Sequence, residues 1–89
     1  MSDSHATPDR VVIVGQGYVG LPLAMRAVEV GHDVVGFDTD TTKTGLLAGG
    51  SSFIEDIPDA RLQAALATGR YLPSSDDAAL DGFDIAVIS

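Results

Sequence analysis

The apolar run Arg10-Val11-Val12-Ile13-Val14 leads straight into Gly15-Gln16-Gly17-Tyr18-Val19-Gly20, and a second run, Val34-Val35-Gly36-Phe37, ends on Asp38. Alone, G-x-G-x-x-G is a weak signal. After a strand, ahead of a helix, and with an acidic residue closing the next strand, it constrains the chain to a βαβ unit that holds a dinucleotide. Each glycine has its own task. Gly15 turns the chain sharply out of the strand, Gly17 lets a pyrophosphate approach the backbone, and Gly20 lets the helix pack close to the strand. The N–H groups near Tyr18 and Val19, at the helix start, face the phosphates, and the helix dipole adds favourable charge. Asp38 is placed to accept hydrogen bonds from the adenosine ribose. Its charge repels a 2′-phosphate, and Thr39 and Asp40 after it offer no arginine to hold one, so NAD is expected rather than NADP.

Composition narrows the class further. The 89 residues make one small domain at most, 45% hydrophobic and 20% charged, which is a globular balance. A formal net charge of -8 argues against a general nucleic-acid binder and against binding to an anionic membrane. There is no cysteine, so no disulfide, thiolate metal site or thiol nucleophile is available. The two histidines, His5 and His32, are too scattered for a metal cluster, and His32 reads as a polar residue of the Gly31-His32-Asp33 turn. No apolar stretch has the length of a membrane span. The first residues lack the basic-then-apolar pattern of a signal peptide. A cytoplasmic protein is expected.

The order of elements is legible in outline. Residues 1–9 read as a flexible arm, and residues 10–89 as the N-terminal portion of a dinucleotide-binding domain. A strand is predicted over residues 10–15 and a helix over 18–30, with Pro22 in its first turn. Val19, Leu23, Ala27 and Val30 form a stripe at helical spacing, with Ala24 and Val28 beside it, and Gly31 is the stop. A strand follows over 33–38. The next helix starts near Thr41, with Thr39, Asp40 and Thr41 as candidate caps, and ends before Gly49. Phe53 and Ile54 are expected to plug a hydrophobic gap. A helix over 59–67 buries Leu62, Ala65 and Leu66 and stops at Gly69. Residues 70–73 read as extended, 76–80 as one helical turn, and 84–88 as a third, buried strand. This alternation predicts an α/β fold, a partial Rossmann unit with a parallel sheet and flanking helices. Three strands are only half of such a sheet, so the sequence is expected to be the N-terminal part of a longer protein.

The stretch from Val12 to Ala24, with Gly-Tyr-Val-Gly-Leu-Pro-Leu-Ala at its heart, resembles the UDP-glucose/GDP-mannose dehydrogenase family. It is more similar to the branch that oxidises UDP-N-acetylhexosamines than to the plain UDP-glucose branch. Residues 31–38 resemble that family's second strand, Lys43 matches a basic residue near the adenosine ribose, and residues 49–54 resemble a further family segment. The resemblance implies oxidation of a sugar C6 alcohol to the carboxylate with two NAD molecules in succession. The second oxidation uses a downstream cysteine, assisted by a lysine, an asparagine and a glutamate, none of which lies in this sequence. Carried over residue by residue, the implied cofactor set is Gly15, Gly17, Tyr18, Val19, Gly20, Asp38 and Lys43. For Tyr18, shielding of the nicotinamide and simple packing both stay open, as do ribose contact and plain solvation for Lys43. A UDP-sugar would be met by residues beyond this sequence, in a homo-oligomer. Two other readings compete. One is another NAD dehydrogenase of the 3-hydroxyacyl-CoA or 6-phosphogluconate type, and the other is a non-catalytic NAD-binding module.

Overall fold

The computed structural model describes residues 10–83 and 85–88. The arm expected over residues 1–9, and Asp84 and Ser89, lie outside the described residues. Strand β1 (Arg10–Val14) runs through the glycine segment into helix α1 (Gly20–Glu29), and β2 (Asp33–Phe37) follows after a tight turn. Helices α2 (Thr41–Ala48) and α3 (Asp59–Ala67) come next, then β3 (Tyr71–Ser74), a short 3₁₀ turn at Asp77–Leu80, and β4 (Ile85–Ile88). The strands form one sheet in the order β3-β2-β1-β4, and every pairing is parallel. The chain order therefore reverses at β1, which lies between β2 and β4. In an open parallel sheet the carboxyl ends of the strands at such a reversal form a crevice.

The sheet has four strands here, not the three expected, because residues 71–74 pair with β2 in full register. Pro73 lies within this strand. It is tolerated because β3 is an edge strand, where a missing N–H costs no interior ladder bond.

The alternation along the strands sorts two apolar clusters. On one face Val11, Ile13, Val34 and Tyr71 pack with Leu21, Ala24, Met25 and Val28 of α1, Leu47 of α2, and Leu62 and Ala65 of α3. Ile54 and Ile57 complete this core from the loop between α2 and α3, with Phe53 partly buried against it. On the other face Val12, Val35 and Phe37 are covered by Ala79 and Leu80 of the 3₁₀ turn.

Two expectations about burial are corrected. Helix α1 buries Leu21, Ala24, Met25 and Val28, whereas Val19, Leu23 and Val30 are exposed. Arg26 and Glu29 mark the outer side of this helix, and Val19, Leu23 and Val30 lie on the Arg26 side while Leu21, Ala24, Met25 and Val28 lie away from it, against β1 and β2. Strand β4, paired with β1 at the sheet edge, is largely exposed rather than buried, with Ile88 at 84% and Val87 partly packed against the core.

The start of α2 and the end of α1 are closed by clear caps. Asp40 caps α2, accepting from the N–H groups of Thr42 and Lys43. At the end of α1 the N–H groups of Gly31 and His32 return to the carbonyls of Val28 and Ala27, a Schellman closure. Arg61 of α3 meets Glu29 of α1 at 2.7 Å across the helix pair. Among the described residues no helix is long and apolar enough to cross a membrane.

Candidate functional site

The turn out of β1 is tied to the end of β2 before any ligand is considered. Gly15 adopts φ 93°, a left-handed conformation that suits glycine, and its N–H donates to the Phe37 carbonyl at 2.7 Å. The next N–H, of Gln16, donates to Asp38 Oδ2 at 2.9 Å. The other carboxylate oxygen, Oδ1, accepts the N–H of Asp40 at 2.9 Å. Partial burial pushes the Asp38 pKa up, but those two backbone bonds and the charge of Lys43 outweigh it and hold the carboxyl below its ordinary value. Asp38 therefore stays ionised at neutral pH. Each carboxylate oxygen keeps acceptor capacity after one bond, because a carboxylate offers about four lone-pair sites.

Helix α1 begins differently from α2. No side chain caps it and no acidic residue sits in its first turn. Tyr18 and Val19 project outward, 77% and 68% exposed, and among the described residues their N–H groups have no partner. The positive end of the α1 dipole is thus left open to an anion. Among the described residues Tyr18 is not packed into the core.

These features meet in one cleft. Gly15, Gly17, Tyr18, Val19, Gly20, Asp38 and Lys43 together line a depression of about 290 Å³ at the carboxyl ends of β1 and β2. All seven residues singled out from the sequence are brought together there. A Cβ added to Gly17 would meet nothing within 4 Å, so the space above the loop is open for a ligand group to approach the backbone. Lys43 is half-buried, not simply solvated, with its ammonium 5.8 Å from the centre of the Phe53 ring. Open backbone donors, a carboxylate at the far lip and a lysine beside it suit a molecule with a pyrophosphate and a ribose diol.

Beneath the cleft lies a polar network that the sequence reading missed. The Gln16 side chain is fully buried. Its Nε2 donates to the carbonyls of Ile13 and Gly15, both at 3.1 Å, and its Oε1 accepts the Tyr71 hydroxyl at 2.6 Å. Burial pushes the Tyr71 pKa well up, so the hydroxyl stays a donor. Gly36 makes the room: a Cβ there would lie 2.4 Å from Gln16 Oε1 and 2.8 Å from Tyr71 Cε1. A glycine inside the apolar run Val34–Phe37 was the available signal of a close approach. Further along, Ser75 donates to the Asp38 carbonyl and shares a hydrogen bond with Thr44, joining α2 to the ends of β2 and β3.

Comparison with known proteins places this geometry. The family described as UDP-glucose/GDP-mannose dehydrogenase family, NAD binding domain, matches residues 9–89. GDP-mannose 6-dehydrogenase of Pseudomonas syringae pv. tomato is 40% identical over 81 residues, which is 89% of this chain and 18% of that protein. UDP-N-acetyl-D-mannosamine dehydrogenase of Pyrococcus horikoshii is 31% identical over 80 residues, 89% of this chain and 19% of that protein. Among solved structures, a UDP-glucose dehydrogenase from Pyrobaculum islandicum superposes with a TM-score of 0.86 at 26% identity, covering 100% of this chain and 21% of that one. The chain thus spans about a fifth of the length of the relatives it matches.

Proposed function

We infer, because this chain belongs to the UDP-glucose/GDP-mannose dehydrogenase family and matches its NAD binding domain, that it supplies the cofactor site of a nucleotide-sugar 6-dehydrogenase. NAD is the cofactor of this domain. When bound, NAD supplies the acceptor for the hydride that leaves the sugar C6 carbon. This chain's own residues bind and orient. The N–H groups of Tyr18 and Val19, at the open end of α1, hold the pyrophosphate. Gly17 leaves the space that group occupies. Asp38 accepts the adenosine ribose hydroxyls and turns away a 2′-phosphate, and Lys43 flanks the same ribose. The observation that carries this reading is the single cleft that collects all seven residues at the carboxyl ends of β1 and β2.

The substrate belongs to the part of the protein outside these residues. The proposal is a nucleoside-diphosphate sugar, with UDP-sugars first because of the Gly-Tyr-Val-Gly-Leu-Pro-Leu-Ala resemblance. GDP-mannose joins the panel because relatives named for it reach 40% identity. The family match disfavours the 3-hydroxyacyl-CoA and 6-phosphogluconate types. The cytoplasmic setting and homo-oligomeric assembly implied by the family resemblance go with this proposal. The test is an NADH-forming assay on the protein isolated from its own cells, across UDP-sugars and GDP-mannose. NADH formation with one of these sugars, in about two equivalents per sugar consumed, supports the reading. NAD binding without turnover of any of them would favour the non-catalytic module.

A further inference from the structure

The cleft residues account for contacts to a dinucleotide but not for what holds the glycine loop in shape. Gln16 occupies the first variable position of the loop, yet its side chain turns away from the cleft into the core and is completely buried. There it makes three hydrogen bonds. Two fasten the loop to its own strand, through the carbonyls of Ile13 and Gly15. The third comes from Tyr71, which belongs to β3 and lies two strands away from β1. The Gln16 main-chain N–H meanwhile reaches Asp38. One residue thus links the loop to β1, to the end of β2 and to β3. A Cβ at position 36 would force the Gln16 and Tyr71 side chains to shift.

Resting on the cofactor reading above, we propose that Tyr71 and Gln16 act as a buried positioning pair, setting the glycine-loop conformation on which dinucleotide affinity depends, although neither Tyr71 nor the Gln16 side chain borders the cleft. The physical basis is directional. A loop held only by apolar packing samples more backbone conformations, whereas a satisfied buried polar network selects one. The open N–H groups of Tyr18 and Val19 follow the held Gln16 after a single glycine, so their aim depends on that selection.

The experiment is a calorimetric NAD titration, with the melting temperature measured alongside, on the wild-type protein and on Tyr71→Phe, Gln16→Leu/Tyr71→Phe and Gly17→Val. Tyr71→Phe strands Gln16 Oε1 in the core, so both the melting temperature and the affinity are expected to fall, the affinity about tenfold. The double variant removes the stranded Oε1 but also takes the Nε2 donor from the Ile13 and Gly15 carbonyls, so its melting temperature is expected to stay below wild type. Its NAD affinity should also stay about tenfold below wild type, because the loop lacks its fastening. Leu62→Ala, titrated alongside, empties a core site while leaving the Gln16–Tyr71 pair in place, and is expected to lower the melting temperature at nearly wild-type affinity. That contrast separates positioning from a merely structural role. An affinity loss in Leu62→Ala as large as in Tyr71→Phe, or wild-type affinity in Tyr71→Phe, would overturn the proposal. If Tyr71→Phe does not fold, the double variant is set against Leu62→Ala in its place. Gly17→Val keeps the two readings apart: binding by wild type and none by Gly17→Val leaves the cofactor site standing whatever the pair does. Absence of binding by wild type removes both.

Discussion

The Asp38 carboxylate accepts the Gln16 main-chain N–H at 2.9 Å, so the residue proposed to hold the ribose also holds the glycine loop. A single side chain at the end of β2 thus holds the loop and, in the proposed reading, the ligand as well. Changing it to alanine removes the acceptor for the loop and the acceptors for the ribose hydroxyls. Charge-assisted hydrogen bonds are worth about 1.5–3 kcal/mol, so Asp38→Ala is expected to weaken NAD binding by about tenfold or more. Titration of the variant checks this, and unchanged affinity would refute the ribose role.

The same carboxylate gives a pH dependence with a definite sign. Its folded-state pKa lies below the ordinary value, because the Gln16 and Asp40 bonds and the Lys43 charge outweigh partial burial. A depressed pKa contributes stability above the unfolded-state value and loses it as pH falls through the folded one. The melting temperature of wild type is therefore expected to drop as the medium is acidified below about pH 4, and that of Asp38→Asn to drop less steeply over the same window. Equal slopes would show that the carboxylate is not engaged as described.

Gly17→Val tests the open space above the loop. Nothing lies within 4 Å of an added Cβ, so the protein is expected to fold with nearly the wild-type melting temperature. The valine side chain projects where a pyrophosphate must come, so NAD binding is expected to vanish. Normal binding in a folded Gly17→Val protein would disprove the fingerprint assignment.

Gly36→Ala has the opposite profile. The new Cβ would lie 2.4 Å from Gln16 Oε1, so the buried pair must shift. Overpacking of this kind costs about 1–3 kcal/mol, to be read from urea denaturation as a lowered midpoint. An unchanged midpoint would mean that the core has slack around Tyr71.

Leu62→Ala addresses the core under the helices. Leu62 is fully buried where α3 meets the common core. Emptying such a site costs about 2–5 kcal/mol, a large share of the stability of a small domain. A marked drop in the urea midpoint is expected, and a midpoint equal to wild type would contradict the packing described.

The parts legible in sequence were those with short-range signatures. The glycine spacing and the acid closing the next strand brought Gly15, Gly17, Gly20 and Asp38 into one cleft, because a βαβ unit leaves few other arrangements for them. Asp40, one of three candidate caps, proved to be the cap of α2 because its side chain reaches the N–H groups of Thr42 and Lys43. The buried side of α1 was misjudged because the stripe ran through Val19, Leu23 and Val30, which share the side of Arg26, whereas Leu21, Ala24, Met25 and Val28 lie away from it. Strand β3 has only four residues and includes Pro73, too short and too irregular to carry a clear strand pattern. The Gln16–Tyr71 pair joins residues far apart in the chain, and no local pattern announces such a contact.

The most direct measurement is a side-by-side titration of the wild-type protein with NAD and with NADP. Saturable binding of NAD at one site, with NADP at least about tenfold weaker because the Asp38 carboxylate repels the extra phosphate, is the expected result. No saturable NAD binding, or equal affinity for the two dinucleotides, would contradict the assignment of this cleft.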